Sequence, residues 1–141
     1  MIKQCPKCGA VYDGRRWVPD PTDSLLAEMS GKTIESRMCP GDQRIENGQV
    51  EGVVTLTGGF LATHREEVKN VVRRVAREGR HRNVAARIFE IVEEDDALVI
   101  ETTDEHLAER MGKEVEKAFK GDLTIKWQAK DTFARVTWRR D

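Results

Sequence analysis

The sequence predicts an α+β protein in which a small cysteine-containing segment precedes one larger α/β domain. All four prolines and all three cysteines lie within the first 40 residues, where glycines also interrupt the chain and disfavour long regular elements. After residue 49, β-branched runs alternate with stretches of helical periodicity, which is the pattern of an α/β domain. We therefore divide the chain into a knuckle, residues 1–48, and an α/β domain, residues 49–141.

The knuckle is expected to be irregular apart from one short helix. This helix runs from Ser24 to Ser30, with Thr22 or Asp23 as its N-cap and Gly31 directly after its end. Side-chain oxygens accept the free N–H groups at a helix start, and glycine is favoured just beyond a helix end.

The α/β domain is expected to contain two helices among five strands. The first helix begins at Thr63, because Thr63 and Glu66 have the spacing of a capping box, and it ends at Gly79. The second begins near Asp104 and ends at Gly121. The order β-α-β-β-α-β with an extra C-terminal strand predicts a ferredoxin-like (split βαβ) domain. The predicted strands are Val53–Thr57, Arg87–Val92, Ala97–Thr102, Leu123–Gln128 and Thr132–Trp138.

Charge is distributed unevenly along the chain, although the formal net charge is only −1. Residues 64–87 contain eight basic and three acidic residues, whereas residues 89–122 contain four basic and twelve acidic ones. The small net charge argues against general attraction to nucleic acid or to an anionic membrane, but it leaves room for a local basic surface. No apolar run is long enough for a membrane helix, and the N-terminus lacks the apolar core of a secretory signal. We expect a cytoplasmic protein.

The strongest chemical signal is the sequence CPKCG at residues 5–9. Two thiolates three residues apart on a tight turn can bind one tetrahedral ion, and CPGD at residues 39–42 supplies a second half with the same spacing. In a reducing compartment such spacing favours a metal over a disulfide. We predict a zinc-ribbon-like knuckle that binds one Zn²⁺ through Cys5, Cys8, Cys39 and Asp42, with water in place of Asp42 as the alternative.

Two other interpretations of the cysteines are weaker. Cys5 and Cys8 could be an incidental exposed pair, because 30 residues separate Cys8 from Cys39 and a zinc ribbon usually has about 15–20. A ribbon here needs an insertion, and the predicted short helix supplies one. A redox-active CPKC is disfavoured because a thioredoxin-type motif follows a complete strand, and only four residues precede Cys5.

No arrangement of residues is typical of an active site. Residues 30–33, SGKT, imitate the end of a phosphate-binding loop, but Leu26 stands where the motif requires glycine and no strand is predicted before it. The three histidines are scattered, and the acidic residues 93–96 fall at a predicted hairpin turn. We therefore predict no catalytic residues, no nucleotide binding and no enzymatic activity.

Basic side chains are expected on two surfaces of the α/β domain. On the first helix they recur at helical spacing opposite the valines, and on the last hairpin they alternate with tryptophans that are core candidates. Such surfaces suit RNA phosphates, but also an acidic protein or solvent alone. The first and third predicted strands, Val53–Thr57 and Ala97–Thr102, lack the stacking aromatics that an RNA recognition motif has there. The predicted nucleic-acid-binding residues are Lys69, Arg73, Arg74, Arg77, Arg80, Lys126, Arg135 and Arg139.

The segments CPKCG, MCP, GVVTLTGGF, THREEV and VTWRR together resemble a group of small bacterial zinc-ribbon proteins of uncharacterised function, over nearly the whole chain. More distantly, the knuckle and the start of the α/β domain resemble the N-terminal zinc-ribbon region of the large-ribosomal-subunit export adaptor family. That distant resemblance implies work around the large ribosomal subunit or its RNA, and only Cys5, Cys8 and Cys39 match its metal ligands. The adaptor family has several CxxC pairs, whereas Asp42 here stands where a fourth cysteine is expected.

We therefore predict a non-enzymatic zinc-binding protein that binds RNA or a ribonucleoprotein such as the ribosome, through the first helix and the last hairpin. The alternative is a protein–protein adaptor with a structural zinc site, in which the acidic second helix and the basic first helix contact different partners. A third hypothesis is a hydrolase or transferase that uses the metal, because exchange of Asp42 for water would open a coordination position.

Overall fold

A computed structural model describes residues 1–141. The chain forms four helices and nine strands in two separate sheets, which confirms the predicted α+β class. The helices are α1 (Asp23–Met29), α2 (Pro40–Glu46), α3 (Gly59–Arg82) and α4 (Glu105–Phe119). The strands are β1 (Ile2–Gln4), β2 (Val11–Tyr12), β3 (Trp17–Val18), β4 (Ile34–Ser36), β5 (Gly52–Thr57), β6 (Ile88–Glu93), β7 (Ala97–Thr102), β8 (Asp122–Gln128) and β9 (Phe133–Arg139).

The knuckle is a small four-stranded sheet with two short helices. Its strand order is β3-β2-β1-β4, with β1 antiparallel to β2 and parallel to β4. The expectation of an irregular segment is therefore wrong for this sheet and for α2. Strands of two or three residues are too short to show a hydrophobic period in the sequence.

Helices α1 and α4 match their predicted positions and caps. The hydroxyl of Thr22 accepts the N–H of Leu25 at 3.1 Å, and the carboxylate of Asp104 accepts the N–H of Leu107 at 3.0 Å. None of the four helices combines the length and the apolar character that a membrane crossing requires.

Helix α3 begins four residues before its predicted start. The chain turns at Gly58, whose φ of 110° suits glycine, and the helix follows at once. Thr63 is therefore inside the helix, which is kinked at His64 (φ −127°, ψ 27°). The predicted stop at Gly79 is also wrong, because α3 continues to Arg82. Gly79 instead packs close to Leu107, where a Cβ atom would lie 2.9 Å from the leucine side chain.

The sheet of the α/β domain has the order β6-β7-β5-β9-β8. Strands β6, β7 and β5 are antiparallel neighbours, as a split βαβ arrangement requires. A ferredoxin-like sheet would place β8 next to β5 and antiparallel to it. Instead β9 lies there, parallel to β5, and β8 forms the outer edge. The extra strand is thus inserted into the sheet, and the ferredoxin-like order is not confirmed.

The main core lies between this sheet and helices α3 and α4. Alternate residues of the three inner strands are buried against the helices, among them Val54, Ile100 and Val136. Of the two tryptophans predicted as core residues, Trp138 is fully buried and Trp127 packs against the core from the edge strand. No helix covers the opposite face of the sheet, because α3 and α4 pack on the same side.

The knuckle contacts the α/β domain through α2. Gly41 lies so close to the domain that a Cβ atom there would be 2.4 Å from the carbonyl oxygen of Val84. Arg44 donates from Nη1 to the carbonyl oxygen of Thr103 at 2.9 Å. Val84 also completes the small apolar cluster around two of the cysteines. These contacts place the cysteines at the boundary between knuckle and domain.

Candidate metal centre

Two segments of the knuckle bring four metal-binding side chains together. Cys5 and Cys8 lie in the loop after β1, and Cys39 and Asp42 lie at the start of α2. One ligand atom from each residue lies within 4.8 Å of the other three. The four ligands predicted from the sequence therefore form one cluster.

The loop that carries the first two ligands is closed by backbone hydrogen bonds. The N–H of Cys5 donates to the carbonyl oxygen of Ala10 at 2.8 Å, and the N–H of Gly9 donates to that of Cys5 at 3.0 Å. Gly9 has a φ of 81°, in the left-handed region that favours glycine. The turn therefore depends on the glycine that follows the second cysteine.

Helix α2 presents the other two ligands from its first turn. Cys39 is the N-cap, and its Sγ accepts the N–H of Asp42 at 3.4 Å. Pro40 occupies the first helical position, where a backbone N–H would have no partner within the helix. The sequence does carry signals for this unpredicted helix, namely Pro40 after the N-cap and Gly48, with a φ of 65°, just beyond its end.

The distances within the cluster fit a tetrahedral zinc site. Cys8 Sγ lies 3.7 Å from Cys39 Sγ, and Zn–S bonds of about 2.3 Å place two sulfurs about 3.8 Å apart. Asp42 Oδ2 lies 3.1 Å from Cys5 Sγ and 3.3 Å from Cys39 Sγ, slightly inside the sulfur–oxygen distance of about 3.5 Å that the same bond lengths give. The donor set and its spacing both suit Zn²⁺.

The three thiols differ in their tendency to ionise. Burial raises the pKa of Cys39 to about 12 and also raises the pKa of Cys8. Burial would raise the pKa of Cys5 too, but backbone hydrogen bonds from Cys39, Cys8 and Lys7 outweigh it and lower this pKa. At least two thiols are therefore protonated at neutral pH without metal, and an ion that binds must displace their protons.

Asp42 uses its two carboxylate oxygens differently. Oδ2 faces the thiols, whereas Oδ1 accepts a hydrogen bond from Arg87 Nη1 at 3.3 Å. Burial would raise the pKa of Asp42, but hydrogen bonds from the three thiols and the charge of Arg87 outweigh burial and lower it. The carboxylate is thus held ionised, with one oxygen directed at the cluster.

Arg87 is the site residue that sequence reasoning missed. It stands 45 residues after Asp42, directly before β6, and no motif links the two positions. Only the contact between knuckle and domain brings them together. Three thiolates and a carboxylate around one divalent ion leave excess negative charge, and Arg87 offsets part of it while orienting a ligand.

The predicted nucleic-acid-binding residues of α3 are mostly paired with carboxylates. Arg77 is exposed and forms no ion pair. The other four form ion pairs of 3.1 to 3.8 Å: Lys69 with Glu93, Arg73 with Glu66, Arg74 with Glu78 and Arg80 with Asp20. The net positive charge of this helix surface is therefore smaller than the sequence indicates.

The two groups of predicted nucleic-acid-binding residues lie on opposite sides of the sheet. Helix α3 packs on one face, whereas Lys126, Arg135 and Arg139 alternate with residues that point towards the helices. These three side chains therefore face away from α3, and the two groups do not form one surface. RNA binding by either group stays a prediction.

Residues 30–33 resemble the end of a phosphate-binding loop in sequence, but the elements on either side of them are in the opposite order to that of such a loop. They follow helix α1 and precede strand β4, whereas a phosphate-binding loop follows a strand and opens a helix. The N–H groups of Ser30 and Lys32 donate back to carbonyl oxygens of α1. The segment is thus the turn that follows a helix.

No family model, curated protein or solved structure matches the chain. The resemblance to small zinc-ribbon proteins and to the export adaptor family therefore stays a prediction based on the quoted segments.

Proposed function

We propose that the protein is a non-enzymatic zinc-binding protein whose metal is structural. The observation that carries this proposal is the convergence of three cysteine sulfurs and one carboxylate oxygen within 4.8 Å. Zinc takes such ligands in tetrahedral sites, and thiolates select it over magnesium or calcium. When bound, zinc would link the loop after β1 to the first turn of α2.

The supply of four protein ligands favours a structural site over a catalytic one. A catalytic zinc keeps one position open for water or substrate, whereas here Asp42 supplies a fourth ligand atom. Cys5, Cys39 and Asp42 are only 2%, 0% and 7% exposed. This arrangement gives no support to the hydrolase or transferase hypothesis.

The knuckle has only a small apolar core. Its apolar cluster contains four buried residues, three from the knuckle and Val84 from the α/β domain, compared with sixteen in the main core. Metal binding can contribute about 10 kcal/mol or more to the folding of such a module. Because α2 also contacts the α/β domain, zinc would fix the position of the knuckle against the domain.

Native mass spectrometry of protein made in zinc-replete cells tests this proposal. We expect one zinc per chain in the wild type and none in Cys39→Ser. Asp13→Asn is a matched control, because the Asp13 carboxylate accepts N–H groups of Arg15 and Arg16 within the knuckle and does not face the cluster. Wild-type protein that carries no metal while amide exchange shows residues 1–48 still folded would contradict the proposal.

We further propose RNA or a ribonucleoprotein as the partner of helix α3, with a protein partner as the alternative. The excess of basic residues on this helix and the unpaired Arg77 support RNA. The ion pairs along the helix support a protein, since a protein surface can match both signs of charge. Nucleic acid that co-purifies with the chain would favour RNA.

A further inference from the structure

The sheet of the α/β domain leaves one face without a covering helix. Residues paired between neighbouring strands point to the same side of a sheet, so this open face presents side chains in rows that cross all five strands. Val53 and Thr55 of the central strand β5 belong to this face and are partly exposed.

One row is charged, with opposite signs on the two sides of the central strand. Residue pairing runs from Glu90 through Glu101, Val53 and Arg135 to Lys126. The two carboxylates therefore lie on the β6–β7 side, and the two cations lie on the β9–β8 side. None of the four charges forms an ion pair within the chain.

The next row along the strands carries no charge. It consists of Val92, Val99, Thr55, Thr137 and Thr124. Val92 is 41% exposed. Short β-branched side chains of this kind form a flat surface, which is the surface needed when two sheets pack face to face at about 10 Å.

We propose that this open face binds the same face of a second copy of the chain. A two-fold axis parallel to β5 places β5 of one copy over β5 of the other and exchanges the two sides of the sheet. Glu101 then faces Arg135 of the second copy, and Glu90 faces its Lys126. Each pairing occurs twice by symmetry, so the unpaired charges of both copies find partners and Val53 packs against Val53.

A second copy fits the open face better than RNA does. Glu90 and Glu101 repel phosphate over half of the charged row. The inner strands β5 and β7 carry no aromatic residue on which a base could stack. The third inner strand, β9, has only Phe133 on this face, at the start of the strand, and Arg135 already lies over its ring at 5.6 Å from the centroid. A second copy matches both signs of charge without needing either feature.

The size of the face limits how much surface two copies can bury against each other. Five strands about 4.8 Å apart, each with six residues at about 3.3 Å, present roughly 480 Å². A dimer would therefore bury about 1,000 Å² in total, near the lower limit of specific interfaces. We expect a reversible dimer that forms at micromolar to submillimolar concentration and weakens as salt screens its ion pairs.

Sedimentation velocity of the full chain over a dilution series tests the proposal with charge reversals. Glu101→Arg sets two cations opposite each other, Arg135→Glu sets two anions opposite each other, and each should weaken dimerisation about tenfold or more. The double variant restores opposite charges and should dimerise like the wild type. An equimolar mixture of the two single variants should form a heterodimer, because each supplies the charge that the other requires.

Two variants on the helical side of the domain control for net charge. Arg77→Glu and Glu116→Arg make the same charge changes at exposed positions and should leave dimerisation unchanged, while melting temperatures check that every variant folds. A wild type that stays monomeric at about 0.5 mM overturns the proposal. So does a double variant or a mixture that fails to recover dimers. Single-stranded RNA that binds a monomeric wild type and is lost in Arg135→Glu would assign the face to RNA instead.

Discussion

Replacement of Arg87 by methionine tests whether the α/β domain controls the metal affinity of the knuckle. Methionine keeps an apolar side chain beside Gly41 but removes the guanidinium that lies 3.3 Å from Asp42 Oδ1. Without metal, Asp42 carries the main negative charge of the cluster, because most of the thiols are protonated. With zinc, three thiolates and the carboxylate give a net charge of about −2. Arg87 therefore stabilises the zinc-bound form more than the metal-free form.

The size of this effect follows from the distance and the burial of the pair. Two unit charges 3.3 Å apart attract each other by about 5 kcal/mol at an effective dielectric constant of about 20. Desolvation of an arginine whose side chain is only 23% exposed reduces the net contribution to about 1.5–3 kcal/mol. Zinc affinity changes only by the difference between the contribution of Arg87 to the zinc-bound form and its contribution to the metal-free form. We therefore expect about tenfold weaker zinc binding, which is at the lower end of the affinity loss for residues that orient a metal ligand.

Competition with a chromophoric chelator measures the zinc affinity of this variant. Arg44→Met is the matched control, since Arg44 also joins the knuckle to the domain, through the carbonyl oxygen of Thr103 at 2.9 Å, without contacting a ligand. Both variants should lower the melting temperature, but only Arg87→Met should weaken zinc binding. Equal zinc affinities for the two variants would refute the reasoning.

Three further predictions concern the domain contact, the thiol protons and the basic helix. Gly41→Ala should lower the free energy of unfolding, measured by urea denaturation, by about 2–3 kcal/mol, because the alanine Cβ would lie 2.4 Å from the carbonyl oxygen of Val84. An unchanged free energy of unfolding would contradict this close approach. Zinc binding at pH 7 should release about two protons or more, because burial raises the pKa of Cys39 to about 12 and that of a second thiol as well. Zinc affinity should therefore fall as the pH falls. Calorimetry in buffers of different ionisation enthalpy counts the released protons. A release of fewer than about one proton per zinc would mean that the thiols are already ionised without metal. Reversal of Arg73 and Arg77 to glutamate should weaken RNA binding and flatten its salt dependence by about 0.7 per lost phosphate contact on single strands, at an unchanged melting temperature; equal binding by the variant and the wild type would favour a protein partner.

The metal ligands and most helices and strands can be predicted from the sequence, because they depend on interactions between residues that are close together in the chain. Asp104 caps α4 through the N–H of Leu107, three residues further along the chain. Each half of the metal cluster is likewise a single turn, with its two ligands three residues apart. Helix α2 also has local signals in Pro40 and Gly48, but Ile45 is its one large apolar residue, so it shows no hydrophobic period.

Relations between distant segments could not be predicted in this way. Strands β8 and β9 both alternate inward and outward residues, so either could pair with β5 on pattern alone. In the structure β9 is the inner strand, and its Ala134, Val136 and Trp138 are fully buried. The contact between Arg87 and Asp42 is another case, because it depends on how the knuckle docks rather than on either local sequence.

From the parallel pairing of β5 with β9 we also expect a particular order of events during folding. Thr57 of β5 donates from its hydroxyl to the carbonyl oxygen of Trp138, 81 residues away. Closing a loop of that length costs entropy before any contact repays it, so such pairings form late and slowly. The two hairpins and both long helices can form earlier, while β5 still has one unpaired edge. Until β9 docks, that edge is open to strands of neighbouring chains, and the interval before docking is when the protein is most prone to aggregate.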